Sequence, residues 1–88
     1  MTKPDTPLFN ELDQVRVVRL NHPMREVTGT ERVRRQPAVG DLGTVVALLK
    51  HGSNPPGYYV ECVDADGLTL WLAGFDRDEL ALVPTRAA

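Results

Sequence analysis

The stretch GDLGTVVALL, residues 40–49, places two glycines three positions apart, with an acid after the first and an apolar, β-branched run after the second. Glycine adopts positive φ at little steric cost, and an aspartate side chain accepts hydrogen bonds from nearby backbone N–H groups. The stretch therefore predicts a tight turn at 40–43, with Asp41 bonding the backbone, that leads directly into a strand. We expect both glycines to lie where a small barrel has little room for side chains.

Short strands are predicted along the chain at residues 13–20, 44–49, 58–64, 68–73 and 81–84. The pair Asp66-Gly67 predicts a tight hairpin turn between the third and fourth of them. The charged segment at 74–80 is too short for a packed helix and predicts a single helical or 3₁₀ turn. This order predicts an all-β fold, a small five-stranded SH3-like barrel with a long first loop and a short 3₁₀ turn before the last strand.

The interior of this barrel follows from strand alternation. Leu8, Phe9 and Leu12 have the spacing of a short helical lead-in, and we expect Phe9 to close one end of the core. The adjacent Val17 and Val18 break strict alternation, which predicts a bend or a bulge. The expected inward positions are Val15, Val17, Val46, Leu48, Val60, Cys62, Leu70, Leu72, Phe75, Leu80 and Leu82.

The connection between the first two strands, residues 21–39, is long for so small a domain. Pro23 and Pro37 punctuate it, and Gly29 lies near its middle. Structureless loops of this length are uncommon in small domains, so we expect it to be either functional or partly disordered. A short hairpin around Gly29 is one conformation that its sequence allows.

Length and composition indicate one domain, predicted at 9–84, with a flexible N-terminal tail at 1–8 and a free C-terminal tail at 85–88. The chain has 88 residues, 42% of them hydrophobic and 25% charged, as is ordinary for a globular protein. It has a single cysteine, no signal-peptide core and no apolar run long enough to cross a membrane. These features predict a cytoplasmic protein with no membrane partner.

Charge is distributed unevenly along the chain. Residues 14–50 carry seven basic and three acidic side chains, whereas residues 51–88 carry two basic and six acidic ones. The two segments therefore balance at +4 and −4, which predicts an electrically two-sided surface if they also separate in space.

Three segments, LFNELDQVRVVRLNHP, VGDLGTVVALL and YYVECVDADGLTLWLAGFDRDELALV, together resemble the small bacterial proteins catalogued as domain of unknown function 4926. The resemblance covers about residues 9–84. It rests on Leu12-Asp13, GDLGTVV, Val60-Glu61, the Asp-Gly turn and the closing Leu-x-Leu-Val. It implies an SH3-like barrel, similar to the C-terminal domain of the nitrile hydratase beta subunit, and no settled activity. The longer, arginine-bearing first loop and Cys62, in place of a larger aromatic, depart from the family.

Candidate catalytic groups are few. Cys62 could act as a nucleophile with His22 or His51 as its base, but the alternation in YVECV favours a buried thiol. The spacing of these three residues is not that of a metal site. The acids Asp64, Asp66, Asp76, Asp78 and Glu79 lack the calcium-loop pattern and are typical of a solvated face. We predict no catalytic residue, no metal and no cofactor.

Aromatic and basic side chains are the candidates for partner binding. If Leu70 and Leu72 face inward, Trp71 faces outward beside Tyr59 and anchors a protein partner; alternatively, the tail or the long loop covers Trp71. The loop at 22–37 adds a basic group. The predicted partner-binding residues are Tyr59, Trp71, Arg25, Arg32, Arg34 and Arg35.

The sequence predicts a non-enzymatic SH3-like domain that acts as a protein-interaction or accessory module. One alternative is a KOW-like module that binds RNA or another nucleic acid, which the net charge of −2 disfavours. Another, by analogy of fold, is an accessory domain of a nitrile-hydratase-type metalloenzyme. An open barrel edge would also allow homo-oligomers.

Overall fold

The computed structural model describes residues 9–49 and 57–84, so the predicted tails and residues 50–56 of the predicted second loop lie outside the described residues. The strands are β1 (Gln14–Val17), β2 (Leu42–Leu49), β3 (Gly57–Val63), β4 (Thr69–Asp76) and β5 (Leu80–Leu82). A 3₁₀ turn, Arg77–Glu79, directly precedes β5.

All five strands form one antiparallel sheet in the order β4-β3-β2-β1-β5. This confirms the predicted fold class, with five strands, a long first connection and a 3₁₀ turn before the last strand. Sequential strands β1 to β4 pair as a meander, and β5 returns to the free side of β1. Because β4 and β5 end the sheet, each presents an edge that needs a cover or a partner.

The long connection covers the β4 edge. Thr28 and Leu72 form an antiparallel bridge and exchange backbone hydrogen bonds of 3.0 and 2.7 Å. The N–H of Arg35 adds a bond of 3.0 Å to the carbonyl of Leu70. The hairpin considered around Gly29 does not form, because this segment pairs with β4 instead of with itself. A side chain at residue 29 would meet the carbonyl oxygen of Leu70 at 2.9 Å, so this approach requires glycine.

The core is a single cluster made by Phe9, Val15, Val17, Val45, Tyr58, Val60, Cys62, Trp71, Ala73, Phe75 and Leu80. Seven predicted inward residues are confirmed, namely Phe9, Val15, Val17, Val60, Cys62, Phe75 and Leu80. Phe9 closes one end as expected and packs edge-on against Tyr58, with ring centroids 5.0 Å apart.

Two strands depart from the predicted phase, β2 in its first half and β4 around Trp71. In β2, Val45 is buried and Val46 is exposed, because a bulge between Val45 and Ala47 inserts an extra residue. In β4, Trp71 lies in the core directly opposite Cys62. Beyond the bulge Leu48 pairs with buried Tyr58 and packs against the core, as predicted, and half-buried Leu70 also packs against the core. Leu72, predicted inward, is half-buried opposite Glu61, and Leu82 is exposed.

The N-terminal lead-in is a turn and not the predicted helix. Leu12 is exposed and has φ of 75°, a left-handed conformation that is uncommon for a residue other than glycine. Its N–H donates to the carbonyl of Val45 at 2.7 Å, which fixes the start of β1 beside β2. β1 itself ends at Val17 and not at residue 20. Beyond Val17 the N–H groups of Val18 and Arg19 both donate to the carbonyl of Glu79, so the regular strand pairing does not continue.

The two glycines of the opening stretch act differently. Gly40 has φ of +100° and supplies the predicted turn. Gly43 is not at positive φ; a side chain there would meet Val60 Cγ1 at 2.6 Å and the carbonyl oxygen of Glu61 at 2.9 Å. The prediction of a crowded barrel position is therefore right for Gly43, and the prediction of positive φ is right for Gly40. The Asp66-Gly67 turn is also confirmed, with Gly67 at φ of +84°.

Candidate functional site

Asp41 is the centre of one polar cluster, which we call the Asp41 cluster (Arg35, Ala38, Asp41 and Trp71). Its carboxylate accepts hydrogen bonds from Trp71 Nε1 at 2.9 Å and from the N–H of Ala38 at 2.9 Å. The guanidinium of Arg35 donates twice, at 2.8 and 3.1 Å. Burial opposes ionisation of Asp41, but these hydrogen bonds together outweigh it and hold its pKa below the ordinary value.

The Asp41 cluster explains the location of Trp71. The side chain that was predicted to face outward is fully buried, and its single N–H finds a charged acceptor on the turn that precedes β2. The outward orientation of Trp71 is therefore wrong, because the side chain lies in the core on the same side of the sheet as Cys62. Trp71 contributes nothing to an exposed binding surface.

Glu79 is the centre of the second polar cluster, the Glu79 cluster (Asn21, Arg25, Asp76 and Glu79). It is a fully buried carboxylate. Arg25 donates to both of its oxygens, at 2.6 and 3.1 Å, and the N–H groups of Asn21 and Asp76 each donate at 2.7 Å. Burial again opposes ionisation, but the hydrogen bonds, that from Arg25 foremost, hold the pKa of Glu79 below its ordinary value.

The four loop arginines divide into two classes. Arg25 is nearly buried, donates to the carbonyl of Gly74 at 2.9 Å and lies over the Phe75 ring at 4.5 Å, besides pairing with Glu79. Arg35 pairs with Asp41. Arg32 and Arg34 are exposed, and among residues 9–49 and 57–84 neither makes an ion pair. Two of the predicted binding arginines are thus structural, and two are accessible.

Tyr59 is half-buried on the outer side of the sheet. It lies between Ala47 of β2 and Gly74 of β4, two small neighbours that leave part of its ring accessible. Trp71 is on the opposite side of the sheet, so the structure does not bring the two predicted aromatic anchors together. Two residues along β3, Glu61 on the same side accepts a hydrogen bond from Thr69 Oγ1 at 2.6 Å.

Cys62, the candidate nucleophile, lies in the core, and His51, one of its candidate bases, lies outside the described residues. Cys62 is buried, and burial raises the pKa of its thiol. Within the described part of the chain, no three His, Cys, Asp or Glu residues are grouped as metal ligands. A shallow open pocket of about 340 Å³ is lined by Asn21, Asp76, Arg77 and Asp78, but the Asn21 amide already donates to both flanking carboxylates.

A group of exposed apolar side chains lies elsewhere, on and beside the outer side of β1, β2 and β3. Arg16 stands opposite Leu42 on one side and Ala81 on the other. Leu42 and Val63 are 52% and 50% exposed. In the antiparallel pair of β2 and β3, Leu42 lies two residues before Thr44 and Val63 two residues after Glu61, the partner of Thr44. Leu42 and Val63 are therefore neighbours on the same side of the sheet. Val18 and Val39 are also exposed and flank the turn at Gly40. We call these five residues, Arg16, Val18, Val39, Leu42 and Val63, the Arg16 face.

Sequence reasoning missed the Arg16 face, although part of its signal was present. Inward Val15 and Val17 place Arg16 and Val18 outward, and inward Cys62 places Val63 outward. The position of Leu42 was hidden because its sequence neighbours, Asp41 and Gly43, predicted a turn and not a strand. Only the observed pairing of β2 with β1 and β3 puts these residues beside one another.

Comparison with known proteins gave no match: no family model, no curated protein and no solved structure matches the chain. Among the described residues, no helix has the length and apolar character needed to cross a membrane. The resemblance noted from the sequence, and the cytoplasmic location, stay predictions.

Proposed function

We propose that this chain is a non-enzymatic protein-interaction module that binds a protein partner through the Arg16 face. The observation that carries the proposal is the placement of Leu42 and Val63, both half-exposed, beside each other on a regular sheet surface. Adjacent exposed apolar side chains on a small domain are typical of interaction surfaces, because a partner removes them from water. Covering one such side chain fully is worth roughly 1.5–3 kcal/mol, so those already half-buried gain less.

The surface proposed from the sequence is less suited to the same role. Trp71 is in the core, and Arg25 and Arg35 are engaged by Glu79 and Asp41. Tyr59 remains accessible in part and can extend an interface across the sheet. Arg16, Leu42 and Val63 lie on strands, which hold them in fixed relative positions.

A nucleic-acid-binding module is the second candidate. It is favoured by the exposure of Arg32 and Arg34 on the connection that runs along β4. Binding of this kind depends on phosphate contacts and weakens steeply with salt, whereas an apolar interface does not. The alternative of an accessory domain in a nitrile-hydratase-type metalloenzyme follows from the resemblance alone. Homo-oligomers that form through an open edge stay a prediction.

The test is a pull-down with the tagged full chain from a lysate of cells that express it, with and without nuclease, at low and high salt. The variant is Leu42→Ser, and the matched control is Met24→Ser, which removes an equally apolar and more exposed side chain outside the Arg16 face. Circular dichroism and urea unfolding confirm that both variants are folded.

We expect a protein partner that persists through nuclease and high salt, is lost with Leu42→Ser and is kept with Met24→Ser. Capture of a protein equally well by both variants would contradict the proposed surface. Recovery of RNA that disappears with nuclease or salt, and with Arg32→Ala, would favour the second candidate.

A further inference from the structure

We propose that the Arg16 face takes a protein segment that presents a carboxylate between apolar side chains. This inference rests on the proposed function and names the chemistry of the partner. Its basis is Arg16, an exposed cation at the centre of an apolar surface. Its two cross-strand neighbours, Leu42 and Ala81, carry no charge.

Arg16 contrasts with the other arginines that lie near acids. Among the described residues, ion pairs engage Arg19, Arg25 and Arg35, but none engages Arg16. Within the part of the chain that the structure describes, Arg16 therefore has no ion-pair partner, and it lies beside the exposed Leu42. An arginine in this setting provides a planar fork of N–H donors that matches a carboxylate.

The acids closest in sequence or register to the Arg16 face are already engaged. Asp41, next to Leu42, is turned toward Arg35 and Trp71. Glu61, across from Thr44, accepts from Thr69. Asp64, next to Val63, accepts from the N–H groups of Asp66 and Leu68. In this proposal a partner supplies the carboxylate that complements Arg16.

A second copy of the chain is a poor occupant. A two-fold symmetric contact places the same patch on both subunits, so it would bring the two Arg16 guanidinium groups toward each other. Like charges at the centre of an interface are unfavourable. A carboxylate flanked by apolar residues satisfies the charge, and the surrounding Val18, Leu42 and Val63 exclude water from the pair. Arginine contacts shielded in this way are frequent energetic centres of interfaces.

The experiment is selection of short random peptides displayed on phage against the immobilised full chain. The same selection is run against Arg16→Glu, against Leu42→Ser and against Arg32→Glu, which reverses an exposed arginine outside the Arg16 face. We expect enriched peptides with an Asp or Glu flanked by apolar residues. Their enrichment should be lost with Arg16→Glu and with Leu42→Ser, and kept with Arg32→Glu. Individual enriched peptides should bind Arg16→Gln about tenfold more weakly than the parent chain, as the loss of one charge-assisted hydrogen bond predicts.

The outcomes separate this inference from the proposed function. Apolar peptides without an acid, whose binding depends on Leu42 and not on Arg16, would overturn the inference and leave the proposed function standing. Enrichment that depends on neither residue, or none above background, would contradict both. Concentration-dependent dimerisation in sedimentation, abolished by Leu42→Ser, would show that a second copy occupies the face and would also overturn the inference.

Discussion

Two ion pairs hold the long connection to the rest of the molecule, and they differ mainly in burial. In the Glu79 cluster, the side chains of Arg25 and Glu79 are 8% and 0% exposed. In the Asp41 cluster, those of Arg35 and Asp41 are 42% and 15% exposed. Both carboxylates accept several hydrogen bonds, so the chemistry is nearly the same. Because a buried charge without its partner is costly, the more deeply buried pair is expected to support the fold more strongly.

The two clusters also fix different parts of the structure. Glu79 joins residue 21, the end of β4 and the 3₁₀ turn, through the N–H groups of Asn21 and Asp76 and through Arg25. Asp41 joins the far end of the connection to the indole of Trp71. The connection is therefore anchored at both ends, and its middle is bridged to β4 at Thr28.

The largest expected effect is that of Glu79→Gln. The substitution keeps the shape but leaves the Arg25 guanidinium buried without its counter-charge, so we expect the free energy of unfolding to fall by about 3–5 kcal/mol. Equilibrium urea unfolding of the parent chain and of Glu79→Gln measures this change in the free energy of unfolding. The control is Asp78→Asn, an exposed carboxylate one residue away, for which we expect a change within about 0.5 kcal/mol.

A double variant keeps this prediction testable if Glu79→Gln alone does not fold. Adding Arg25→Met removes the uncompensated charge, so the double variant should be more stable than Glu79→Gln alone. If the double variant is no more stable, the cost arises from the lost hydrogen bonds to Asn21 and Asp76 and not from the stranded charge.

A smaller effect is expected for Asp41→Asn. The amide retains one oxygen acceptor but loses the charge, and water can reach the partly exposed Arg35, so we expect a loss of about 1–3 kcal/mol. The emission of Trp71, the single tryptophan, reports on the same change, because a displaced indole shifts its fluorescence to longer wavelength. Asp66→Asn, in the exposed hairpin turn, serves as the control. A loss for Asp41→Asn equal to that for Glu79→Gln would show that burial does not separate the two clusters.

The smallest effect is the pH dependence of stability on the acid side. The pKa of Glu79 and that of Asp41 are lowered from their ordinary values of 4.5 and 3.8. Folding therefore favours the ionised carboxylates. This stabilisation is complete when the pH is above the ordinary pKa values, and it is lost as the pH falls through the lowered pKa values of the folded protein. Urea midpoints measured from neutral pH to about pH 3 should fall with pH, and more gently in Glu79→Gln. An unchanged slope in that variant would contradict the assignment.

The positions of the strands along the chain, the hairpin at Asp66-Gly67 and the 3₁₀ turn could all be predicted, because each depends on residues close in sequence. The phases of β2 and β4 could not. In β2 the bulge at Val46 inverts an alternation that Val45 and Val46 leave ambiguous. In β4 Trp71 is fully buried while Leu70 also packs against the core and Leu72 is half-buried, so neither side of the strand is fully exposed. A strand covered on both sides carries little information about which side is the core.

The all-β architecture and the turn at Gly40 follow from the sequence, since backbone freedom and β-branched runs act locally. The burial of Cys62 follows from it too, through simple alternation. Which arginines are engaged, where Trp71 points and that Arg16, Leu42 and Val63 share one surface depend on the folded structure. These features depend on carboxylates and strands distant in sequence, and a register shift of one residue would reverse them.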